Sequence, residues 1–223
     1  MFLKKVETLE KLLNLRKKDI VTAVGSNGKT TFCLNLCKEL KRKKKNIFFT
    51  TTVKILPVNK KYEFIDITIP NTENETEEKK GEVFPEMEIT SFLLNLEKNL
   101  NNSNNVYVLG IYDSKIGKIT SLSPELLENI SEKCDYMIIE GDGSKMKSLK
   151  GWKKTEPVYT KNTTKSVGIL PINIIGDKIN DVNIHRMEEF LGISGGQKNE
   201  TLTLNHLYNV IVHKNGLFQY ALG

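Results

Sequence analysis

The sequence predicts an α/β fold in which a mainly parallel sheet is flanked by helices, with a small hairpin or insertion. An apolar run at 20–24 is followed by a glycine-containing turn and a helix-forming run at 32–43, and a second apolar run begins at Ile47. Strand, helix and strand at this spacing form a right-handed βαβ unit, so the strands near the turn are expected to be parallel. The chain has 223 residues and is expected to form one α/β domain over 1–223.

The turn after the first strand has the residues of a phosphate-binding loop. Gly25 and Gly28 permit a tight turn in which successive N–H groups point at one anion, and the next helix adds the partial positive charge of its N-terminus. Lys29 is placed to reach the β- and γ-phosphates, and the Thr30 hydroxyl to ligate Mg²⁺. The usual G-x-x-x-x-G-K-[ST] spacing has glycine at the position of Ala23.

The chain is therefore expected to be P-loop NTPase-like, the alternative being a chance turn with a lysine on a helix. The residues of this loop expected to contact the nucleotide are Gly25, Ser26, Asn27, Gly28, Lys29, Thr30 and Thr31.

A second informative stretch, 135–144, is an apolar strand that ends in acidic residues and a glycine-rich turn. In phosphate-loop NTPases a carboxylate at the end of an adjacent strand holds Mg²⁺ or orients the attacking water. Glu140 is the first candidate and Asp142 the second, although Asp142 could serve only to form a turn with the glycine that follows it. The predicted catalytic residues are thus Lys29, Glu140 and Asp142, and the predicted metal ligands are Thr30 and Glu140.

Other candidates lie near these two stretches. Thr51 and Thr52 close the second strand, which is expected to neighbour the first, and Lys54 follows them. Ligands bind at the carboxyl ends of strands in open α/β sheets, so these residues are candidate nucleotide contacts. The alternative is that the threonines are there only because threonine has a high β-strand propensity. Lys150 is a candidate for neutralising phosphates or a second anionic substrate. A solvated lysine loop is the alternative.

Composition limits the class of function. Lys and Arg (33) exceed Asp and Glu (27), and the net charge of +6 suits a phosphate ligand but is too diffuse to indicate a nucleic-acid partner. The three cysteines are too few for a disulfide framework and are expected to lie in the core. No signal peptide or membrane-spanning run is visible. We expect a reduced, cytoplasmic protein without a membrane partner.

Several further elements follow from periodicity. Residues 2–14 predict a short amphipathic helix, and 63–70 predict an edge or hairpin strand that ends at a proline. The charged run 71–80 contains no apolar residue and predicts a mobile loop. A helix is predicted over 181–191, and it would contain the pair His185-Arg186. On composition alone, such a histidine is more often structural than catalytic.

The ordered series of motifs resembles the YqeC family, whose members are named as accessory proteins of selenium-dependent hydroxylases. The resemblance runs from about Leu12 to Ala221. It is carried by 24–30, 50–55, 135–144 with 149–150, 156–158, 185–186 and 213–218.

Membership would imply a P-loop fold, a role in maturing selenium-containing molybdenum hydroxylases or their cofactor, and a position for His185 and Arg186 near the substrate. The chain departs from the family pattern at Gly141 and Lys145, in the apparent insertion 71–80, and in lacking an expected further strand after Gly223. The loop also resembles the ATP-binding domain of Mur ligases, but those enzymes are much longer.

Two functions compete. The first is Mg²⁺-dependent binding of ATP or GTP with hydrolysis or phosphoryl or nucleotidyl transfer. The second is a non-catalytic, nucleotide-gated carrier or chaperone for a hydroxylase or its cofactor, which is favoured by the lack of an evident nucleophile–base pair in the sequence.

Overall fold

The computed structural model describes residues 7–43, 45–58, 62–70, 86–100 and 105–221. Its helices are α1 (Leu9–Leu12), α2 (Lys29–Lys41), α3 (Glu86–Leu100), α4 (Pro124–Ser131), α5 (Met187–Ser194) and α6 (Leu204–Val212). Its strands are β1 (Ile20–Gly25), β2 (Ile47–Thr51), β3 (Ile65–Pro70), β4 (Val106–Asp113), β5 (Lys118–Thr120), β6 (Tyr136–Glu140), β7 (Leu149–Lys150), β8 (Lys165–Ile169) and β9 (Ile184–His185).

Seven of these strands form one mainly parallel sheet. The strand order is β3-β4-β2-β6-β1-β8, and β5 pairs with β4 in an antiparallel hairpin. The pairs β1–β8, β2–β4 and β3–β4 are all parallel. The predicted α/β class, with a parallel sheet, flanking helices and a small hairpin, is confirmed. The arrangement is consistent with a P-loop NTPase-like fold.

The described chain divides into two compact units. The first unit comprises residues up to 18 together with 36–137, and the second comprises 19–35 and the chain from 138 onward. In the first unit, Phe48 and Tyr107 meet edge to face with ring centroids 5.9 Å apart, and the Tyr107 hydroxyl donates to the Asn99 carbonyl at 2.9 Å. This pair fixes the packing of β2 on β4 and joins β4 to the end of α3.

The second unit contains the glycine loop and has its own apolar core. Val24 of β1 packs in this core with Trp152, Phe190, Val210 and Leu217, all of them buried. The core therefore joins the strand before the glycine loop to α5 and α6. It gives the loop a rigid base.

The strand order corrects one prediction. The second strand of the chain was expected to neighbour the first, but β6 lies between β1 and β2. Every residue of β6 is buried, as expected for a central strand covered on both faces. The consequence is that the strand next to the glycine loop is the one that ends in Glu140.

Three smaller predictions have different outcomes. Strand β3 is an edge strand as expected, but it pairs with β4 in parallel, so the hairpin alternative is wrong. The amphipathic helix expected over 2–14 is only the four residues of α1 where the structure describes it. The predicted mobile loop 71–80 lies outside the described residues.

The predictions about cysteines and membrane spans can also be compared with the structure. Cys33, Cys37 and Cys134 are buried free thiols, which confirms their place in the core. None of the described helices combines the length and apolar character needed to cross a bilayer.

Candidate functional site

The glycine loop, residues 25–31, leaves β1 in a conformation that requires glycine. Gly25 has φ +120°, and a Cβ atom placed on it would lie 2.2 Å from the Ile169 carbonyl oxygen. That same oxygen accepts the Ser26 N–H at 2.9 Å, so β8 holds the start of the loop. Gly28 has φ +103°. Both glycines are therefore required by backbone conformation, as the motif predicted.

The loop presents backbone donors that the protein itself does not use. Asn27 and Gly28 are exposed, and no described residue accepts a hydrogen bond from either of their N–H groups. Helix α2 begins directly afterwards at Lys29. The first N–H groups of a helix have no partner within it, and they carry the positive end of its dipole. This segment can therefore bind an anion such as a phosphate.

The Lys29 side chain folds back over the loop. It is only 2% exposed, and its Nζ donates to the carbonyls of Gly25 at 2.8 Å and Ser26 at 2.7 Å. The same Nζ lies 3.4 Å from Asp142 Oδ1. The ammonium group thus lies at the loop and is bonded mainly to neutral carbonyls, which a phosphate can replace.

Glu140 meets the loop at the first turn of α2. The Thr30 hydroxyl donates to Glu140 Oε2 at 2.7 Å. Burial raises the pKa of Glu140, while the nearby Lys29 charge and the Thr30 hydrogen bond oppose that rise. A hydroxyl and a carboxylate in contact are hard oxygen ligands, and Mg²⁺ takes one or two such protein ligands together with phosphate oxygens and water. The predicted pair of metal ligands is therefore chemically suitable for Mg²⁺.

Asp142 is bonded to the chain through both carboxylate oxygens. It is fully buried, and its Oδ1 accepts the Gly25 N–H at 2.9 Å. Its Oδ2 accepts Trp152 Nε1–H at 2.8 Å and Lys150 Nζ at 3.2 Å. The carboxylate therefore fixes the first residue of the glycine loop.

Lys150 is placed beneath the loop. The side chain is fully buried, and its Nζ donates to the Gly143 carbonyl at 2.7 Å and to Glu156 Oε2 at 2.6 Å, as well as to Asp142. Its charge is therefore matched by two carboxylates of the protein.

Glu156 links Lys150 to Arg186. Both terminal nitrogens of Arg186 donate to Glu156, with Nη2 lying 2.6 Å from Oε1. Burial alone would raise the pKa of Glu156, but the hydrogen bonds from Arg186 and Lys150 outweigh it and lower the pKa to about 2. Glu156 and Trp152 were not predicted as site residues. Glu156 lies in the stretch 156–158 of the motif series, but neither that stretch nor a single tryptophan carries a chemical pattern that indicates a site residue.

The helix predicted over 181–191 is wrong in its first half. His185 belongs to β9, which pairs in parallel with β7, and helix α5 begins only at Met187. Arg186 between them is left-handed, with φ 59°. Pairing with β7 therefore overrides the helical pattern and brings Arg186 to Glu156. Burial, followed by the charges of Arg186 and nearby lysines, lowers the pKa of His185 to about 4, so it is neutral at pH 7.

The remaining predicted contacts belong to the first unit. Thr51 is fully buried at the end of β2, and its Oγ1 accepts the Val53 N–H at 3.0 Å. Thr52 is half-buried and Lys54 is exposed. Within the second unit, the structure brings together Lys29, Thr30, Glu140, Asp142, Lys150 and Arg186. The contact of Thr51, Thr52 and Lys54 with a nucleotide stays a prediction.

Comparison with known proteins agrees with the resemblance seen in the sequence. The model of the family described as "YqeC protein" matches residues 21–188, from β1 to the first turn of α5. The chain is 22% identical over 206 residues to "Uncharacterized protein YqeC" of Escherichia coli (strain K12), which covers 92% of this chain and 72% of that protein. No solved structure matches at a significant level. Since the family match covers well over half of the chain, the protein belongs to the YqeC family.

Proposed function

We propose that the protein binds ATP or GTP with Mg²⁺ at the glycine loop and hydrolyses it, or transfers its phosphoryl or nucleotidyl group. The contact between the Thr30 hydroxyl and Glu140 beside Lys29 carries this proposal. A metal-ligating hydroxyl, an acid at the end of the adjacent strand and a loop lysine are the parts that phosphoryl transfer requires.

Each residue has a distinct role in this proposal. The N–H groups of Asn27, Gly28 and the first turn of α2 bind phosphate oxygens. Lys29 leaves the carbonyls of its own loop and neutralises charge on the phosphates. Thr30 and Glu140 would hold Mg²⁺, whose chemistry there would be to supply positive charge against the phosphates, or Glu140 would orient the attacking water. Asp142 keeps the loop in place through Gly25.

Phosphate release from ATP and from GTP tests the enzymatic proposal. The wild-type protein is assayed with Mg²⁺ and with a chelator, beside Lys29→Ala and the surface control Lys198→Ala. We expect Mg²⁺-dependent release that is lost in Lys29→Ala and kept in the control, whose lysine forms an exposed ion pair with Asp181. Equal rates in all three proteins would exclude the enzymatic proposal.

The ion-pair chain beneath the loop favours the second candidate, a nucleotide-gated carrier or chaperone. Asp142, Lys150, Glu156 and Arg186 connect the Gly25 N–H to the residue before α5. A change at the loop on nucleotide binding can thus be passed to α5. Tight nucleotide binding by calorimetry, with no turnover in the presence of a hydroxylase partner, would favour this function.

The biological setting proposed for either function is the maturation of a selenium-dependent molybdenum hydroxylase or its cofactor in the cytoplasm. Its support is the resemblance of the whole motif series to a family named for that role. Co-purification with a molybdenum hydroxylase, and loss of selenium from that enzyme when the protein is absent, would test the setting. Unchanged selenium content would contradict it.

A further inference from the structure

A second feature of the molecule lies apart from the glycine loop, along the outer side of α6. A groove of about 550 Å³ is bordered by α6, by β8 and by the segments that follow β8 and α6. Helix α6 buries His206, Leu207 and Val210 on its inner side. Leu204, Tyr208 and Ile211, at the i, i+4 and i+7 positions, project on the other side and line the groove.

The groove is apolar and exposed. Leu204 and Tyr208 are each 62% exposed, and Ile172 and Phe218, which also line the groove, are exposed too. With Ile211, these side chains expose an area on the order of 500 Å², which reaches the size at which apolar patches mark interaction sites. A standard interface buries about 800 Å² on each partner, so this patch supplies more than half of one.

Strand β8 extends the same surface with backbone groups. It is the outermost described strand on its side of the sheet. The Ser26 N–H donates to the Ile169 carbonyl, and bonding alternates along a parallel ladder, so the N–H groups of Ser166 and Gly168 point away from β1. No described residue accepts a hydrogen bond from either. An open edge beside an apolar groove is a place where another strand can add.

The charge of the groove bears on which partner it can bind. None of the residues lining the groove is charged, although the chain as a whole carries +6. A partner recognised by charge would have nothing to pair with here. Two copies of this chain each carry a net charge of +6, and the groove adds no charge to the repulsion between them.

We propose that this surface, formed by β8 and the outer side of α6, joins two copies of the chain in a two-fold dimer. A two-fold axis sets the same surface against itself, so the patch must tolerate its own charge pattern. Antiparallel pairing of β8 centred on Val167 sets Lys165 of one copy opposite Ile169 of the other. The two lysines are then about 13 Å apart along the strands. The apolar side chains around the groove meet their equivalents.

Sedimentation velocity and light scattering over about 1–100 μM protein test the proposal. The expected species at high concentration has twice the 25.4 kDa mass of the chain. Hydrogen exchange at the Ser166 and Gly168 amides is expected to slow as the dimer forms. A protein that stays monomeric over this range would overturn the proposal.

Matched variants locate the interface. Tyr208→Glu sets two like charges against each other across the axis and is expected to weaken dimerisation more than about 100-fold. Leu94→Glu is the control, because Leu94 is also 62% exposed on a helix but lies on α3 in the first unit. A dimer that survives Tyr208→Glu, or that is lost in Leu94→Glu, would place the interface elsewhere. Circular dichroism verifies folding, and Leu204→Glu replaces any variant that fails to fold.

Two other occupants have distinct outcomes that also overturn the proposal. Binding to anionic lipid vesicles, without any rise in mass, would assign the surface to a membrane. A stable monomer whose Ser166 and Gly168 amides are protected at every concentration would assign it to a segment of the same chain. Neither result is expected.

Discussion

At the residue scale, two buried carboxylates near the end of β6, Glu140 and Asp142, differ in the groups that they bind. Asp142 accepts a loop N–H, an indole N–H and a lysine ammonium, and it cannot exchange these partners without releasing the glycine loop. Glu140 accepts the hydroxyl of Thr30, which a metal can join without moving the loop. In the proposed function Glu140 is the acid that binds the metal or orients water, whereas Asp142 supports the loop through the Gly25 N–H.

We expect Glu140→Gln to lower Mg²⁺-dependent phosphate release about 100-fold while making the fold more stable. The folded-state pKa of Glu140 is raised, so protonation favours folding, and this stability is lost as pH rises through the raised pKa. At pH 7 the neutral amide removes that penalty. Thermal unfolding should show a Tm about 1–3 °C above wild type. A Tm below that of wild type would contradict the raised pKa of Glu140.

Asp142→Asn provides the contrast. The amide nitrogen would face either the indole N–H of Trp152 and the Lys150 ammonium, or the Gly25 N–H, and no orientation satisfies all three donors. We expect a loss of about 3 kcal/mol in the free energy of unfolding by urea, together with weaker nucleotide binding. Stability equal to that of wild type would show that the carboxylate does not hold the loop.

Glu156 should make the free energy of unfolding fall as the pH is lowered into the acid range. Its pKa is about 2 in the folded state, below its ordinary value of 4.5, so its contribution is complete above pH 4.5 and is lost as pH falls towards 2. The carboxylate is partly accessible, so we expect Glu156→Gln to cost about 1–2 kcal/mol at pH 7 and roughly half as much near pH 3. Urea unfolding at both pH values measures this. Glu97→Gln, in an exposed ion pair, should show little change at either.

Residues with a motif were predictable, and residues recruited by the fold were not. Lys29, Thr30 and Glu140 were placed together from a loop signature and a strand ending in acid, because both are local patterns. Glu156 joins the site through Lys150 and Arg186, which the short parallel pair of β7 and β9 brings close together. A two-residue strand leaves no periodicity in the sequence.

At the element scale, the glycine loop depends on how closely β8 approaches it. We expect Gly25→Ala to cost more than about 3 kcal/mol, because the new Cβ would meet the Ile169 carbonyl at 2.2 Å in a left-handed backbone. Gly143→Ala is the matched control, since a Cβ there meets no atom within 4 Å. Its free energy of unfolding by urea should change by less than about 0.5 kcal/mol. Equal effects at both positions would contradict the strained loop.

The order of strands was less predictable than their existence. Apolar runs in the sequence locate β1, β2 and β6, because buried parallel strands are almost entirely apolar. Those runs do not indicate which strands are neighbours in the sheet. The place of β6 beside β1 follows from packing of distant segments, and it is this order that sets Glu140 against Thr30.

At the scale of the whole molecule, charge is divided between the site and the surface. Lys29, Lys150 and Arg186 are offset at the site by Glu140, Asp142 and Glu156. The net +6 of the chain therefore lies elsewhere. A phosphate ligand is attracted by directed N–H groups and by Lys29 rather than by a large positive field. That nucleic acid is not the partner stays a prediction.

Thermal unfolding with nucleotide distinguishes the two proposed functions in the intact protein. A ligand present at about 100 times its Kd stabilises the fold by about 2.7 kcal/mol, which raises the Tm of a chain of this size by roughly 5–10 °C. We expect Mg²⁺ with ATP or GTP to give this shift in wild type and in Lys198→Ala, but not in Lys29→Ala. An enzyme loses the shift during incubation as the triphosphate is consumed, whereas a carrier keeps it. No shift with either nucleotide would contradict both functions, because both require the glycine loop to bind phosphate.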